Sequence, residues 1–278
     1  MTAKTKIGII AGNRLLPVVL AAAIRRQCPE CEIIALCFRG ETSSRIKRFA
    51  DRTHWLVPGH LARLIHLLKK YDLTRCILAG QISPLRIFQP RYWDRAFREL
   101  VDQIEDFRPH TVFSGLIHRL EQEGIVFLDS TEYLRDLLAH PGPMNKMIPD
   151  AHLQRDIVFG SRVAARYVEL DIGQTLVVKN KTVAALESLE GTDRTLIRGA
   201  RLAGRNCVAV KYSRKHQDLR FDVPVIGLRT LRVLRRMRAG ACVLEAGRVI
   251  MLEKPKFLRA AARYGIPVVG TEAGAGDG

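Results

Sequence analysis

Two short stretches of this chain gather the groups that could activate water. Glu187, Glu190 and Asp193 recur at three-residue spacing around Gly191-Thr192, and Arg220-Phe221-Asp222-Val223-Pro224 sets a further acid beside a guanidinium. They lie in a strongly basic protein, with 45 Lys and Arg against 28 Asp and Glu, a formal net charge of +17 and a pI near 10.1. A few acids in a positive surround suit hydrolysis of an anionic phosphate ester: cations hold the substrate while a carboxylate activates water or carries a metal ion. The acids at 187–193 fall at the end of a strand and the start of a helix, where some can converge, but Glu190 and Asp193 could equally serve the positive end of the helix dipole. Pro224 biases Val223 toward an extended backbone, so Asp222 stands just before a strand; its plainer role would be an ion pair with Arg220 or Lys215.

Two glycine turns could receive the phosphates. Ile10-Ala11-Gly12-Asn13-Arg14-Leu15-Leu16-Pro17 reads as a strand, a turn and a helix entry, where unpaired amides face a ligand. Ala79-Gly80-Gln81-Ile82-Ser83 is a second such turn, with Gln81 and Ser83 able to bond phosphate, ribose or base. Two of these in one sheet point to a nucleotide crevice. The three glycines of the dinucleotide fingerprint and the Gly-Lys-Ser/Thr of a P-loop are both missing, which tells against a nicotinamide-dependent enzyme.

The elements that must position these groups alternate. Ile7–Ala11, a helix from Leu15 to Arg26 and the run Ile33–Phe38 form a β-α-β opening. Further strands fit 55–57, 76–78 and 126–128, between helices near 60–70, 92–106 and 113–123. This predicts an α/β fold whose first half is a Rossmann-like, mostly parallel sheet, with ligands at the carboxyl ends of its strands. Residues 139–149, rich in Pro and Gly, read as a linker between a domain at 1–138 and one at 150–278. The second half opens with a helix at 151–168 and carries a hairpin turning at Asn180-Lys181. Strands are expected at 207–211, 224–227, 241–245, 248–252 and 267–269, with helices near 193–203, 229–238 and 255–264, so it is a second α/β domain with hairpins.

Composition narrows the function classes. Hydrophobic residues at 47% and charged residues at 26% are those of a globular protein. Asn13, Arg14 and Pro17 break the first apolar run, which argues against a signal peptide, and no stretch matches a spanning helix, so a cytosolic chain with peripheral membrane contact is expected. The helix near 228–238 sets Leu228, Leu231, Leu234 and Met237 against Arg229, Arg232, Arg235, Arg236 and Arg238, a solvated face that could dock anionic headgroups. The six cysteines are read as reduced thiols; Cys28 and Cys31 have metal-like spacing but lack a second pair. The pI leaves a nucleic-acid-binding protein as the rival from another class. Aromatic stacking motifs, zinc modules and a concentrated basic run are missing, so no nucleic acid is expected.

Across nearly its whole length the chain resembles the LpxI family of bacterial UDP-2,3-diacylglucosamine pyrophosphatases of lipid A biosynthesis. The resemblance rests on Ile-Ala-Gly-Asn at 10–13, Ala-Gly-Gln at 79–81, Asp171-Ile172-Gly173-Gln174, Glu187 with Glu190-Gly191-Thr192-Asp193, Gln217-Asp218, Arg220-Phe221-Asp222, Pro224-Val225-Ile226-Gly227 and Val268-Val269-Gly270. It implies a nucleotide-binding first domain, a second domain for the acylated sugar phosphate, and a divalent cation, expected to be Mg2+. The implied reaction yields UMP and 2,3-diacylglucosamine 1-phosphate (lipid X), water attacking the sugar-side phosphorus. Asp222 is then the first choice as metal ligand or general base, with Glu187, Glu190 and Asp193 as further acids. UDP is expected on Gly12, Asn13, Arg14 and Leu15 and on Gly80, Gln81 and Ser83, with Gln174, Thr192, Lys211, Gln217, Asp218 and Arg220 as further substrate contacts. Lys211 and Arg220 would clamp phosphate oxygens. The scissile bond would lie between the domains. Arg14 departs from a usual glycine, His216 from a proline and Ser188 from a small apolar residue. The expected setting is the inner face of the cytoplasmic membrane, with a homodimer left open.

Overall fold

The computed structural model describes residues 4–83, 89–104, 109–214, 218, 220 and 223–272, the side chains at 109 and 110 excepted. The chain divides into two units. One holds Met1–Leu134 and takes in Arg220; the other holds Arg135–Asp218 and Val223–Gly278.

In the first unit β1 (Lys6–Ala11), α1 (Leu16–Gln27), β2 (Glu32–Phe38), β3 (Arg52–Leu56), α2 (Leu61–Lys70) and β4 (Arg75–Ala79) alternate, followed by α3 (Arg95–Val101), α4 (Pro109–Glu121) and β5 (Val126–Phe127). The five strands pair in parallel in the order β3-β2-β1-β4-β5. Strand order therefore reverses between β1 and β4, the switch point at which open α/β sheets leave a crevice. Ile34, Leu36 and Phe38 of β2 enter a core shared with α2, α3 and α4. Ile33, Ala35 and Cys37, on the opposite face by alternation, are equally buried, so helices cover both sides of the sheet.

The second unit contains β6 (Gly142–Pro143), α5 (Ala151–Tyr167), β7 (Thr175–Lys179), β8 (Thr182–Leu186), α6 (Thr192–Ala203), β9 (Val208–Lys211), β10 (Val225–Ile226), α7 (Leu228–Arg236), β11 (Ala241–Glu245), β12 (Ile250–Met251), α8 (Lys254–Arg263) and β13 (Val268–Thr271). Its main sheet runs β6-β13-β11-β9-β7-β8, parallel through β13, β11 and β9 and antiparallel outside them. Val208, Val210, Ala241 and Val243 face α5 in one core, while Ala209, Cys242 and Leu244 face α6, α7 and α8 in another. The segment read as a linker supplies β6 at the sheet edge, and Asn145 pins it by bonding Ile266 O and Val268 N.

The hairpin turns where expected, at Asn180 and Lys181, both with positive φ as a tight two-residue turn requires. The wholly buried Asp156 accepts both turn amides, at 2.9 and 2.7 Å. The thiol reading needs one correction: Cys28 and Cys31 are joined as a disulfide. The turn between α1 and β2 brings their Cα atoms to 5.4 Å, within bridging distance. Cys37, Cys76, Cys207 and Cys242 are free and buried.

Candidate active site

In the first unit the two glycine turns leave β1 and β4 side by side and lock together. Gly12 N donates to Ala79 O at 2.8 Å, and Asn13 N to Gln81 O at 2.6 Å. A Cβ on Gly12 would lie 2.4 Å from Gln81 O, and one on Gly80, at φ +78°, 2.5 Å from Asn13 O. Both positions require glycine, because backbone rather than a yielding side chain fills the space. Arg14 has φ 64° and bridges to Thr42. It adopts the left-handed backbone that a glycine would reach without cost, so an arginine here is compatible with the turn. Leu15 follows as the residue capping α1, whose first turn carries Pro17.

Glu41, in the loop after β2, joins these turns. Its carboxylate accepts from Asn13 Nδ2 at 2.9 Å and from Ser83 N at 3.3 Å. Asn13 Oδ1 is buried without a hydrogen-bond partner, an acceptor left at the crevice. Gln81 is exposed beside it. Close by, Arg39, Val57, Pro58, Ser83, Gln89, Arg91 and Tyr92 line a cleft of about 520 Å³. Two guanidinium groups and an aromatic ring are chemistry for an anionic, stackable ligand.

The second unit gathers its polar groups where α6 starts. The Thr192 hydroxyl lies 3.1 and 3.2 Å from the two carboxylate oxygens of Glu187, to which it donates. It accepts from Lys211 Nζ at 2.9 Å and lies 3.2 Å from Thr175 Oγ1. Lys211 ends β9 and is only 7% exposed, so its ammonium works in a poorly solvated setting. Tyr167 donates its hydroxyl to Glu187 O, and burial, with Glu187 and Glu190 adding to it, pushes its pKa up to about 12.

The other two acids of that stretch go elsewhere. Glu190 pairs with Arg198 at 2.5 Å, and that hydrogen bond above all holds its carboxyl down at about 2. Asp193, in the first turn of α6, accepts from Thr230 at 3.0 Å and pairs with Arg229 at 2.8 Å. Glu187, Thr192 and Lys211 are thus brought together, and Glu190 and Asp193 are turned toward separate cations. Gln174 is half-buried, and its carbonyl receives Tyr212 N at 2.9 Å. Asp218 is half-buried, and Arg220 pairs with Glu121 at 2.7 Å. Asp222, Gln217 and His216 lie outside the described residues.

Sequence reasoning passed over Glu41, Thr175 and Glu245. Glu245 ends the otherwise apolar β11, is 6% exposed and accepts Ser213 N at 2.6 Å; burial raises its pKa. An acid closing an apolar strand at the carboxyl edge of a parallel sheet was the available signal. Glu41 and Thr175 carried none, since only folding sets them beside their partners.

The chain is 27% identical, over 96% of its length and 98% of the relative's, to a protein of Caulobacter vibrioides named UDP-2,3-diacylglucosamine pyrophosphatase LpxI. A phosphoribosylglycinamide synthetase from Anaerococcus prevotii aligns with 74% of this chain and 44% of its own, at 10% identity and a TM-score of 0.27, too slight a likeness to bear on fold or function. The family model described as the LpxI N-terminal domain matches residues 6–137 and that of the LpxI C-terminal domain residues 140–269, so the chain belongs to the LpxI family.

Proposed function

We propose that this protein hydrolyses the pyrophosphate bond of UDP-2,3-diacylglucosamine, giving UMP and 2,3-diacylglucosamine 1-phosphate, a step of lipid A biosynthesis. The observation that carries the reading is the interlocked pair of glycine turns at the β1/β4 switch point, in a chain whose halves both match LpxI domains. In this reading the amides at 12–15 and 80–83 receive the diphosphate, the Glu41 carboxylate accepts from ribose hydroxyls, and Tyr92 offers a face to uracil.

Within the second unit, Lys211, fixed against Thr192, is the cation offered to phosphate oxygens of the acylated sugar phosphate. Glu187 holds its acceptor oxygens toward the same hydroxyl and is the described carboxylate best placed to orient water or a cation. The oxygen donors of Glu187, Thr192 and Thr175 are the hard ligands a divalent cation such as Mg2+ takes, alongside phosphates and water. When bound, the cation neutralises charge on the phosphates and lowers the pKa of coordinated water. Asp222 is proposed as metal ligand or general base on the strength of the family resemblance.

No helix among the described residues is long and apolar enough to cross a membrane. We place the substrate's bilayer contact, at the inner face of the cytoplasmic membrane, on α7. There Leu231 and Leu234 are buried while Arg229, Arg232, Arg235 and Arg236 are exposed. The deciding experiment is release of UMP from UDP-2,3-diacylglucosamine with Mg2+, by wild type and by a folded, substrate-binding Asp222→Ala. Turnover confined to wild type supports both the reaction and the role of Asp222. Equal turnover removes Asp222 from the chemistry, and an inactive wild type sinks the reading.

A further inference from the structure

Cys28-Pro29-Glu30-Cys31 joins α1 to β2, and the hydrolysis makes no use of it. Its two sulfurs are bonded, Cys28 being half-buried and Cys31 3% exposed. The other four cysteines are buried. Burial pushes Cys37, Cys76 and Cys242 up to about 12 and raises Cys207, leaving them protonated and inert at neutral pH.

The turn does not depend on its disulfide. The Arg25 guanidinium donates to Pro29 O at 2.8 Å and to Cys31 O at 3.0 Å, and pairs with Asp51 at 2.5 Å. Asp51 also accepts Ile33 N at 2.7 Å, which fastens the same turn to the first residues of β2. Cys28 N still bonds Ile24 O, and Cys31 N bonds Cys28 O. A loop of this length constrains the unfolded chain less than a long one, so the bridge contributes only about 2 kcal/mol, the low end for a disulfide. A bond that can open without disturbing its backbone is suited to exchange.

The surroundings set the direction. The pair follows the C-terminal end of α1, where the helix dipole disfavours a thiolate, and the Glu30 carboxylate lies 3.2 Å from Cys28 Sγ. Pairs at a helix N-terminus gain stability as thiolates and so oxidise other molecules; here the reduced form lacks that support, which favours the disulfide. We propose that Cys28 and Cys31 are a reversible dithiol–disulfide site oxidised by low-molecular-weight disulfides of the glutathione class, with Cys28 as the attacking thiol. Glu30 accepts the Cys28 proton, and the thiolate attacks one sulfur of the small disulfide, forming a mixed disulfide and releasing one small thiolate. Cys31, losing its proton to solvent, attacks Cys28 Sγ and releases the second. Both leaving thiolates take up protons, and two electrons pass from the protein to the small disulfide.

The same residues also form a three-donor group, Cys28, Glu30 and Cys31, with no fourth ligand among the described residues, one short of a structural zinc site. The test equilibrates the full chain in buffers running from all reduced to all oxidised glutathione, then quenches in acid, alkylates the unfolded protein and counts free thiols by intact mass. The expected result is passage from six thiols to four in one two-electron step. In oxidised glutathione, Cys31→Ser should gain one glutathione and Cys28→Ser none. Six thiols at every ratio, four even under excess dithiothreitol, or stoichiometric zinc on the reduced protein would overturn the site. Equal glutathione uptake by the two variants would overturn the role of Cys28. The wild-type count stands by itself if either variant fails to fold.

Discussion

Replacing Gly80 by Ala tests the interlocked turns most directly. The new Cβ would sit 2.5 Å from Asn13 O, where ordinary contact begins at 3.4 Å, so the two turns must part by about 1 Å. The hydrogen bonds from Gly12 N and Asn13 N then fail, at a net cost of roughly 1 kcal/mol each. The left-handed backbone at φ +78° adds about 1 kcal/mol for any residue with a Cβ. Together these come to about 3 kcal/mol, or roughly a 10 °C fall in melting temperature for a unit of this size. Gly124 is the control: it has φ +82° but open space around its Cβ position, so Gly124→Ala should cost only the backbone share, about 1 kcal/mol. Thermal melting followed by UMP titration reads both consequences, with UMP binding at least ~10-fold weaker in Gly80→Ala, the equivalent of about 1.4 kcal/mol. If the two variants melt alike and bind UMP alike, the collision at Asn13 O does not govern the site.

Lys211→Met keeps an unbranched side chain one atom shorter and removes its charge; UMP release should fall on the order of 10²-fold in kcat/KM with the fold retained, and near-wild-type turnover would take Lys211 out of the phosphate clamp. Glu245 supplies a pH signature, because burial raises its carboxyl above the ordinary value of 4.5. An acid with a raised folded pKa contributes stability that is fully present below the unfolded value and is lost as pH rises through the folded one. Wild type should therefore lose melting temperature relative to Glu245→Gln as pH climbs above 4.5, and a gap independent of pH between the two proteins would refute the assignment.

The alternation of apolar runs with helical periods was enough to predict the β-α-β opening, the glycine turns at 12 and 80, and the hairpin at Asn180-Lys181, because each follows from local sterics and side-chain period. Nothing local could say that β4 lies beside β1 rather than beyond β3. That order comes from the crossovers and the burial of both sheet faces, and it is what turns two separate glycine turns into one crevice. The acids at 187–193 show the same limit. Their spacing was legible, but α6 directs Glu190 to Arg198 and Asp193 to Arg229 and Thr230, while Glu187 meets Thr192, which receives Lys211 from β9. Sequence determined which groups were available to do chemistry. The tertiary structure decided which of them meet, because partners such as Glu41 with Asn13, or Lys211 with Thr192, are brought into hydrogen-bond range only when distant strands pair and their helices pack.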